Sequence, residues 1–440
     1  MTGERDRMRP DRSLPRSRIS RLGKLGQLAG GMALGAVNQG ARQLLRGERP
    51  SARDLLLTPA NARRLSERLS ELRGAAMKVG QLISMDSGQL LPESLGELLS
   101  GLRDNAHPMP LGEINQVLSA AWGTDWSGAF RRFNFTPMAS ASIGQVHEAE
   151  LKSGERLAIK IQYPGVRQSI DSDVDNVAQL LRLFKQIPQH LDFKPVLSEA
   201  KLQLHQEADY LLEARWLEQY AHKLGQDEDF SIPEVNREWT RESVLCMSYM
   251  EGEPIEDQLK LPAEARNRIA TRLLQLALRE VFHWGLVQTD PNFSNFRYEP
   301  HTGKIQLLDF GATREYPEAR RDTLKQLLQA CLGGEEFAIA EAAREVGYLG
   351  ADDPDSYRRQ VVTLLMMVSE PLRQTRYDFA TTDLVSRMSE VLIEMRLQGS
   401  HGSLPPTDVL FLHRKLGGLY LLLSRLKAEL NVRELVIRML

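Results

Sequence analysis

Gln288-Thr289-Asp290-Pro291-Asn292-Phe293-Ser294-Asn295 follows an apolar helical pattern over about 263–284, and Asp309-Phe310-Gly311 follows the short apolar strand pattern Ile305–Leu308. Asp290 and Asn295 are five residues apart, and Asp309 lies 19 residues beyond Asp290. A carboxylate to position a nucleophile, with an amide and a second carboxylate to hold Mg²⁺ against phosphates, are the parts that phosphoryl transfer needs. Alone, Asp-Phe-Gly is also a good turn after a strand, and an Asp and Asn at this spacing are weaker evidence still. In this order, each at the end of an element of the right kind, they point together to a nucleotide site.

Upstream, the apolar period changes. Gln145–Leu151 and Arg156–Gln162 alternate every second residue around Lys152-Ser153-Gly154-Glu155, which predicts a hairpin. Its second strand carries Ala158-Ile159-Lys160, and an inward Lys in an apolar strand is costly unless it meets an anion. A helical pattern over about 195–223 supplies Glu207, Asp209 and Glu213. At 100° per residue Asp209 and Glu213 share a face and Glu207 does not. Either the three acids serve different partners or the helix is irregular there. Helical patterns also run over 60–86, 92–104, 111–122 and 167–187, and from about 317 onward, with a further strand at Ser243–Tyr249. Trp122, Trp126, Trp216 and Trp284 fall in apolar patterns and read as core; His107 and His147 read as structural.

The 440 residues allow two to three domains at about 150 each. With 42% hydrophobic and 26% charged residues the chain is an ordinary globular one, neither fibrous nor wholly disordered. Two cysteines, Cys246 and Cys331, build no disulfide framework, which suits a reducing compartment. A net charge of −2 argues against a nucleic-acid partner for the whole protein. The average hides an asymmetry: residues 1–50 hold eleven Arg/Lys against four Asp/Glu, a net of +7, and the rest carries −9. The basic head runs into Leu25–Val37, thirteen residues broken only by Gln27, too short for the roughly 20 that span a bilayer. Gly26/Gly30 and Gly31/Gly35 at four-residue spacing suit a short helix lying at a membrane surface. No clean cleavage site or transit peptide follows, which favours a bacterial host.

A family resemblance completes the reading. Met138-Ala139-Ser140-Ala141-Ser142-Ile143-Gly144-Gln145-Val146-His147 stands where a kinase has its Gly-rich loop. With Arg73-Gly74-Ala75-Ala76-Met77-Lys78-Val79-Gly80-Gln81, Glu207-Ala208-Asp209-Tyr210 and the Asp290 and Asp309 segments, it resembles the UbiB-type atypical kinases, the coenzyme-Q kinase-like proteins. The likeness covers about residues 70–320, and the Gln-Thr-Asp-Pro-Asn loop is most similar to the coenzyme-Q branch. It implies an α+β, protein-kinase-like fold of two lobes, a small antiparallel β-sheet lobe and a mostly helical one, with a helical N-terminal extension. The expected divisions are 1–50 for the head, 51–125 for the extension, 126–255 for the sheet lobe and 256–440 for the helical lobe.

The resemblance also implies roles. Ala139, Ser140, Ala141, Ser142 and Lys160 would bind ATP, with Glu213 the ion-pair partner of Lys160. Asp290 would be the catalytic-loop Asp, and Asn295 and Asp309 the Mg²⁺ ligands. Lys78 and Gln81, with Glu207 and Asp209, would guard the site, the extension lying where a peptide substrate would bind. The activity implied is ATP hydrolysis supporting ubiquinone (coenzyme Q) biosynthesis at a membrane surface. Phosphate transfer in trans to a small molecule, lipid or protein is the alternative, and a nucleotide-binding scaffold without turnover the third. No Ala-Pro-Glu segment follows Gly311, which counts against a peptide substrate. Implied partners are anionic membrane lipids, a quinone-like lipid, other ubiquinone-biosynthesis proteins and a second copy of the chain. The expected place is the cytoplasmic side of a bacterial inner membrane, with the mitochondrial matrix side as the alternative.

Overall fold

The period-two segments form the sheet that they predict. The computed structural model describes residues 72, 74–76, 78–80, 108–183, 194–398, 402–403 and 405–440. The basic head, most of the extension, Gln81 and His107 lie outside the described residues. One unit comprises residues up to Leu212 together with Val235–Tyr249; the other comprises Glu213–Glu234 and Met250–Leu440.

In the first unit, helix α1 (Leu111–Trp122) precedes strands β1 (Phe130–Phe133), β2 (Ala139–Ser140), β3 (Gly144–Leu151) and β4 (Arg156–Gln162). After β5 (Phe230–Ser231) of the second unit, β6 (Val244–Ser248) completes an antiparallel sheet of order β1-β3-β4-β6, with β2 paired to β3. Six of the seven residues of β4 are buried, as an inner strand requires. Ile114, Val117 and Leu118 of α1 join Leu157, Ile159 and Ile161 of β4 in one core, so alternation turns Lys160 to the other face. Trp126 is buried there and Trp122 packs against the same core, while Trp216 and Trp284 are half-buried. His147 is buried, with Nδ1 3.0 Å from the Asn134 carbonyl, and burial lowers its pKa. That suits a structural residue.

Helix α2 (Val166–Leu183) follows the sheet. The pattern over 195–223 is two helices, α3 (Lys194–Glu207) and α4 (Tyr210–Leu224), and not the continuous one its period suggests. The break has a local cause. Asp209 Oδ1 accepts from Leu212 N at 2.9 Å, the bond of an N-cap side chain, and starts a new helix. The freed Ala208 carbonyl is taken up by the Gln162 amide at 2.8 Å.

The second unit is mainly helical. Strand β7 (Glu253–Pro254) precedes α5 (Ala263–Leu278), which runs into a π-helical turn at Arg279–Trp284. Gly285 (φ 63°) then reverses the chain into β8 (Leu286–Gln288), a left-handed position that only glycine adopts freely. Strands β9 (Phe296–Tyr298) and β10 (Ile305–Leu307) form a sheet with β5 and β7, and β11 (Thr313–Glu315) pairs with β8. Helices α6 (Glu318–Gly333), α7 (Glu336–Val346), α8 (Asp355–Val368), α9 (Leu384–Leu397), α10 (Thr407–Arg425) and α11 (Val432–Met439) follow, with β12 (Tyr377–Asp378) paired to β13 (Glu429–Leu430). The whole is the α+β, protein-kinase-like fold expected.

Candidate active site

The helical unit brings three of the expected residues onto two stitched loops. The Asp290 loop leaves β8 and the Asp309 turn leaves β10. Thr289 donates to the Ala312 carbonyl through its amide (3.0 Å) and its hydroxyl (2.7 Å), tying one loop to the other. The Asn295 carbonyl accepts from Leu308 N at 3.0 Å, which sets Asn295 beside the residue preceding Asp309. Asn292 accepts from Ser294 N and turns the chain toward Asn295. Asp309 Oδ1 accepts from Gly311 N at 2.9 Å and shapes the turn.

Asp290 is held from two sides. Asn295 Nδ2 donates to its Oδ2 at 3.0 Å, and the Arg414 guanidinium on α10 donates to its Oδ1. Each carboxylate oxygen keeps a second lone pair with which to accept from an attacking water or hydroxyl. Because the Asn295 amide nitrogen is spent on Asp290, its carbonyl oxygen is directed away from that carboxylate, as a metal ligand would need. Among the described residues no group of three or more His, Cys, Asp or Glu could hold a metal by itself. Mg²⁺ is ordinarily held by one or two carboxylates together with phosphates and waters. The donor set of Asp309 and Asn295 is of this kind.

Gly418, one turn after Arg414 on α10, packs against Pro291: a Cβ on Gly418 would lie 1.9 Å from Pro291 Cβ. Neither Arg414 nor Gly418 was signalled by the sequence. A basic residue followed four places on by glycine in an amphipathic helix reads as a solvated face, and the contact closes over 124 residues of chain.

The sheet unit carries the other expected residues. Lys160 is buried in β4, flanked by Val146 and Leu245, with its Nζ 5.3 Å from the centre of the Tyr210 ring. The Ala139–Ser142 segment is a hairpin arm: Ala139 and Ser140 pair with Val146 and Gln145, and Ala141 N donates to the Gly144 carbonyl at 2.9 Å. Ser142 Oγ donates to Glu207 Oε2 at 2.6 Å. Lys78, only 5% exposed, forms an ion pair with the other oxygen of Glu207. Gly74, one turn before Lys78, lies so close to the loop that a Cβ there would be 2.8 Å from the Ser142 carbonyl. Lys78, Ser142 and Glu207 therefore form one cluster, while Asp209 caps α4. Glu213, buried on α4, belongs to the helical unit, where its carboxylate lies 3.4 Å from the place of a Cβ on Gly311.

A family model described as the ABC1 atypical kinase-like domain matches residues 101–343. The chain belongs to this family. Among ABC1 relatives, the protein named atypical kinase COQ8, mitochondrial, of Saccharomyces cerevisiae is 35% identical over 96% of this chain and 85% of its own length. The atypical kinase coq-8, mitochondrial, of Caenorhabditis elegans is 35% identical over 95% of this chain and 57% of its own length. Among solved structures, the complex of Rv3197 with erythromycin from Mycobacterium tuberculosis superposes with a TM-score of 0.60 at 26% identity, covering 86% of this chain and 94% of that one.

Among the described residues, Lys78→Ala leaves Glu207 with the Ser142 hydroxyl as its side-chain partner. Leaving a partly buried acceptor short of a partner costs at most about 1–3 kcal/mol, so the variant should fold with a lowered unfolding midpoint. Turnover or nucleotide preference should change as well. Wild-type kinetics from the folded variant would remove Lys78 from any guarding role.

Proposed function

We propose that the chain is an atypical kinase-fold ATPase that binds Mg-ATP and supports ubiquinone biosynthesis at a membrane surface. The observation that carries this reading is the set Lys160, Asp290, Asn295 and Asp309, complete and in order, in a chain 35% identical to the atypical kinase COQ8 over nearly its whole length. A scaffold without turnover would be expected to have lost one of them.

In this reading Lys160 holds the phosphates of ATP, and Asn295 and Asp309 hold Mg²⁺, which when bound offsets the charge on the phosphates. Asp290 accepts a hydrogen bond from the attacking water and orients it, while Arg414 and Asn295 keep the carboxylate in place. Lys78 and Glu207 tie the loop at Ser142 to the extension, which supports hydrolysis over transfer to a peptide.

The test is phosphate release from Mg-ATP by the full chain, with and without anionic vesicles containing a quinone, followed by identification of bound lipid. Release without an added acceptor supports the ATPase reading. Release only with an acceptor means transfer in trans, and nucleotide binding without either means a scaffold.

The proposed place of work is an inner-membrane surface, cytoplasmic in a bacterium and matrix-facing in a mitochondrion; the two relatives above are named mitochondrial. Among the described residues no helix is long and apolar enough to cross a membrane. The net +7 of residues 1–50 beside the thirteen-residue apolar run predicts peripheral attachment. A basic residue near an anionic surface contributes about 1 kcal/mol, screened over about 10 Å at 0.1 M salt. Binding to anionic vesicles should weaken as salt rises. Removing residues 1–50 should abolish it and leave nucleotide binding intact, as measured by flotation and thermal shift. Flotation of the truncated protein would place the membrane contact elsewhere.

A further inference from the structure

Two charged residues of the helical unit are buried without a role in the scheme above. Glu280 is 1% exposed and Lys415 5%, with their charged atoms 2.7 Å apart. Glu280 stands in the π-helical turn Arg279–Trp284, and Lys415 on α10 directly follows Arg414. Removing two charges from water costs about as much as their attraction returns, and a well-packed apolar pair of similar volume is often as stable or more so. Stability is therefore a poor account of this pair. The better-attested use of a buried ion pair is to fix one register between elements.

Its neighbours show which elements are registered. The Tyr220 hydroxyl, from α4, donates to the Leu286 carbonyl at 3.0 Å and lies 3.3 Å from Glu280 Oε1. Burial and the adjacent Glu280 carboxylate raise the Tyr220 pKa, so the hydroxyl remains a donor. Leu286 opens β8, four residues before Asp290. The Tyr220 ring centre is 4.7 Å from that of Phe310, the middle residue of Asp-Phe-Gly. Tyr220 follows Glu213 by seven residues, two turns on the same face of α4, and Glu213 faces Gly311. At the other end, Arg414 grips Asp290 and Gly418 admits Pro291. A continuous line of contacts thus runs from Phe310 through Tyr220, Glu280 and Lys415 to the helix that holds Asp290.

We propose that Glu280, Lys415 and Tyr220 are positioning residues for ATP turnover. They lock the Asp290 loop against the Asp309 turn by anchoring α10 at one end and Phe310 at the other. None of them is placed on nucleotide or metal. The π-helical turn puts Glu280 at the buried position this needs, and such turns concentrate at functional sites. Helix α10 lies beyond residues 101–343, so the device joins the family domain to the C-terminal helices. This role rests on the turnover reading above.

The test uses the full chain and two variants: the double replacement Glu280→Gln with Lys415→Met, which removes both charges at similar volume, and Tyr220→Phe, which keeps the ring against Phe310. Heat unfolding, Mg-ATP thermal shift, kcat and KM for ATP are measured beside the wild type. The double variant should unfold within a few degrees of wild type or above it, bind Mg-ATP as wild type does, and lose roughly tenfold or more in kcat with KM within about twofold. Tyr220→Phe should lose about three- to tenfold in kcat with the same unchanged KM. A stable double variant with wild-type kcat overturns the proposal, as does a loss that only tracks the folded fraction. Should the double variant fail to fold, Tyr220→Phe decides by the same kcat and KM criteria. A wild type that binds Mg-ATP without turning it over overturns the catalytic reading and this role with it.

Discussion

Asp309→Asn is expected to abolish the Mg²⁺-dependent stabilisation of the protein by ATP. The turn itself should survive, because an Asn side-chain oxygen can still accept from Gly311 N as Asp309 Oδ1 does. What disappears is the negative charge, and a hard cation such as Mg²⁺ is held by charged oxygen more than by amide oxygen. At a nucleotide concentration 100 times Kd, the wild type gains about 2.7 kcal/mol. That is a rise of several degrees, at about 2–4 °C per kcal/mol for a domain of this size. The variant should show no Mg²⁺-dependent rise, and its turnover should fall by roughly 10²–10³-fold, the effect of losing one preorganised electrostatic partner. Chelating the metal from wild type should reproduce the lost shift. An undiminished shift in Asp309→Asn would take Asp309 out of the site.

The second large effect is predicted at a glycine. Gly418 lies inside α10, where alanine would ordinarily favour the helix by about 1 kcal/mol. Its Cβ would arrive 1.9 Å from Pro291 Cβ and 3.3 Å from Pro291 Cα, whereas carbon atoms in contact sit about 3.5–4.0 Å apart. Either α10 or the Asp290 loop must move by more than an ångström. The helix is pinned to the π-helical turn by Lys415 on Glu280, so the loop yields. A misplacement of about 1 Å can cost 10²-fold in rate, and overpacking costs about 1–3 kcal/mol in stability. Gly418→Ala should therefore lower kcat by about 10²-fold. Gly417→Ala is the internal control: nothing lies within 4 Å of its Cβ, so that variant should keep wild-type kcat and gain slightly in stability. Equal kinetics from the two variants would refute the clamp that α10 places on the loop.

Much of the site was legible because its residues sit beside elements with a clear period. Lys160 lies in a strand whose alternation is visible in seven residues, Asp290 follows an apolar helical pattern and Asp309 a short apolar strand, whereas the strand β8 just before Asp290 was not legible. The break at Ala208-Asp209 was less legible, because the helical period of the apolar residues runs through it. Only the cap from Asp209 to Leu212 and the Gln162 amide on Ala208 separate α3 from α4. Helix geometry left two alternatives for the three acids, different partners or an irregular helix, and both hold: Glu207 meets Lys78 and Ser142, Asp209 caps α4, and the helix breaks between them.

The amino-acid sequence by itself determined the alternation that makes the β3–β4 hairpin and the order of the chemical groups along the chain. These depend on neighbours within a few residues, which period and propensity describe. That β4 is an inner strand, which buries Lys160, was decided by the distant β6 pairing along it. Tertiary structure alone decided the partners: Arg414 on Asp290, Lys415 on Glu280, Tyr220 on Phe310, Gly418 on Pro291. Those pairs join segments far apart in the chain, and a cation or glycine on an amphipathic helix carries no local mark of what it will meet. Distance in space, set when α10 packs back onto the loop, chooses the partner.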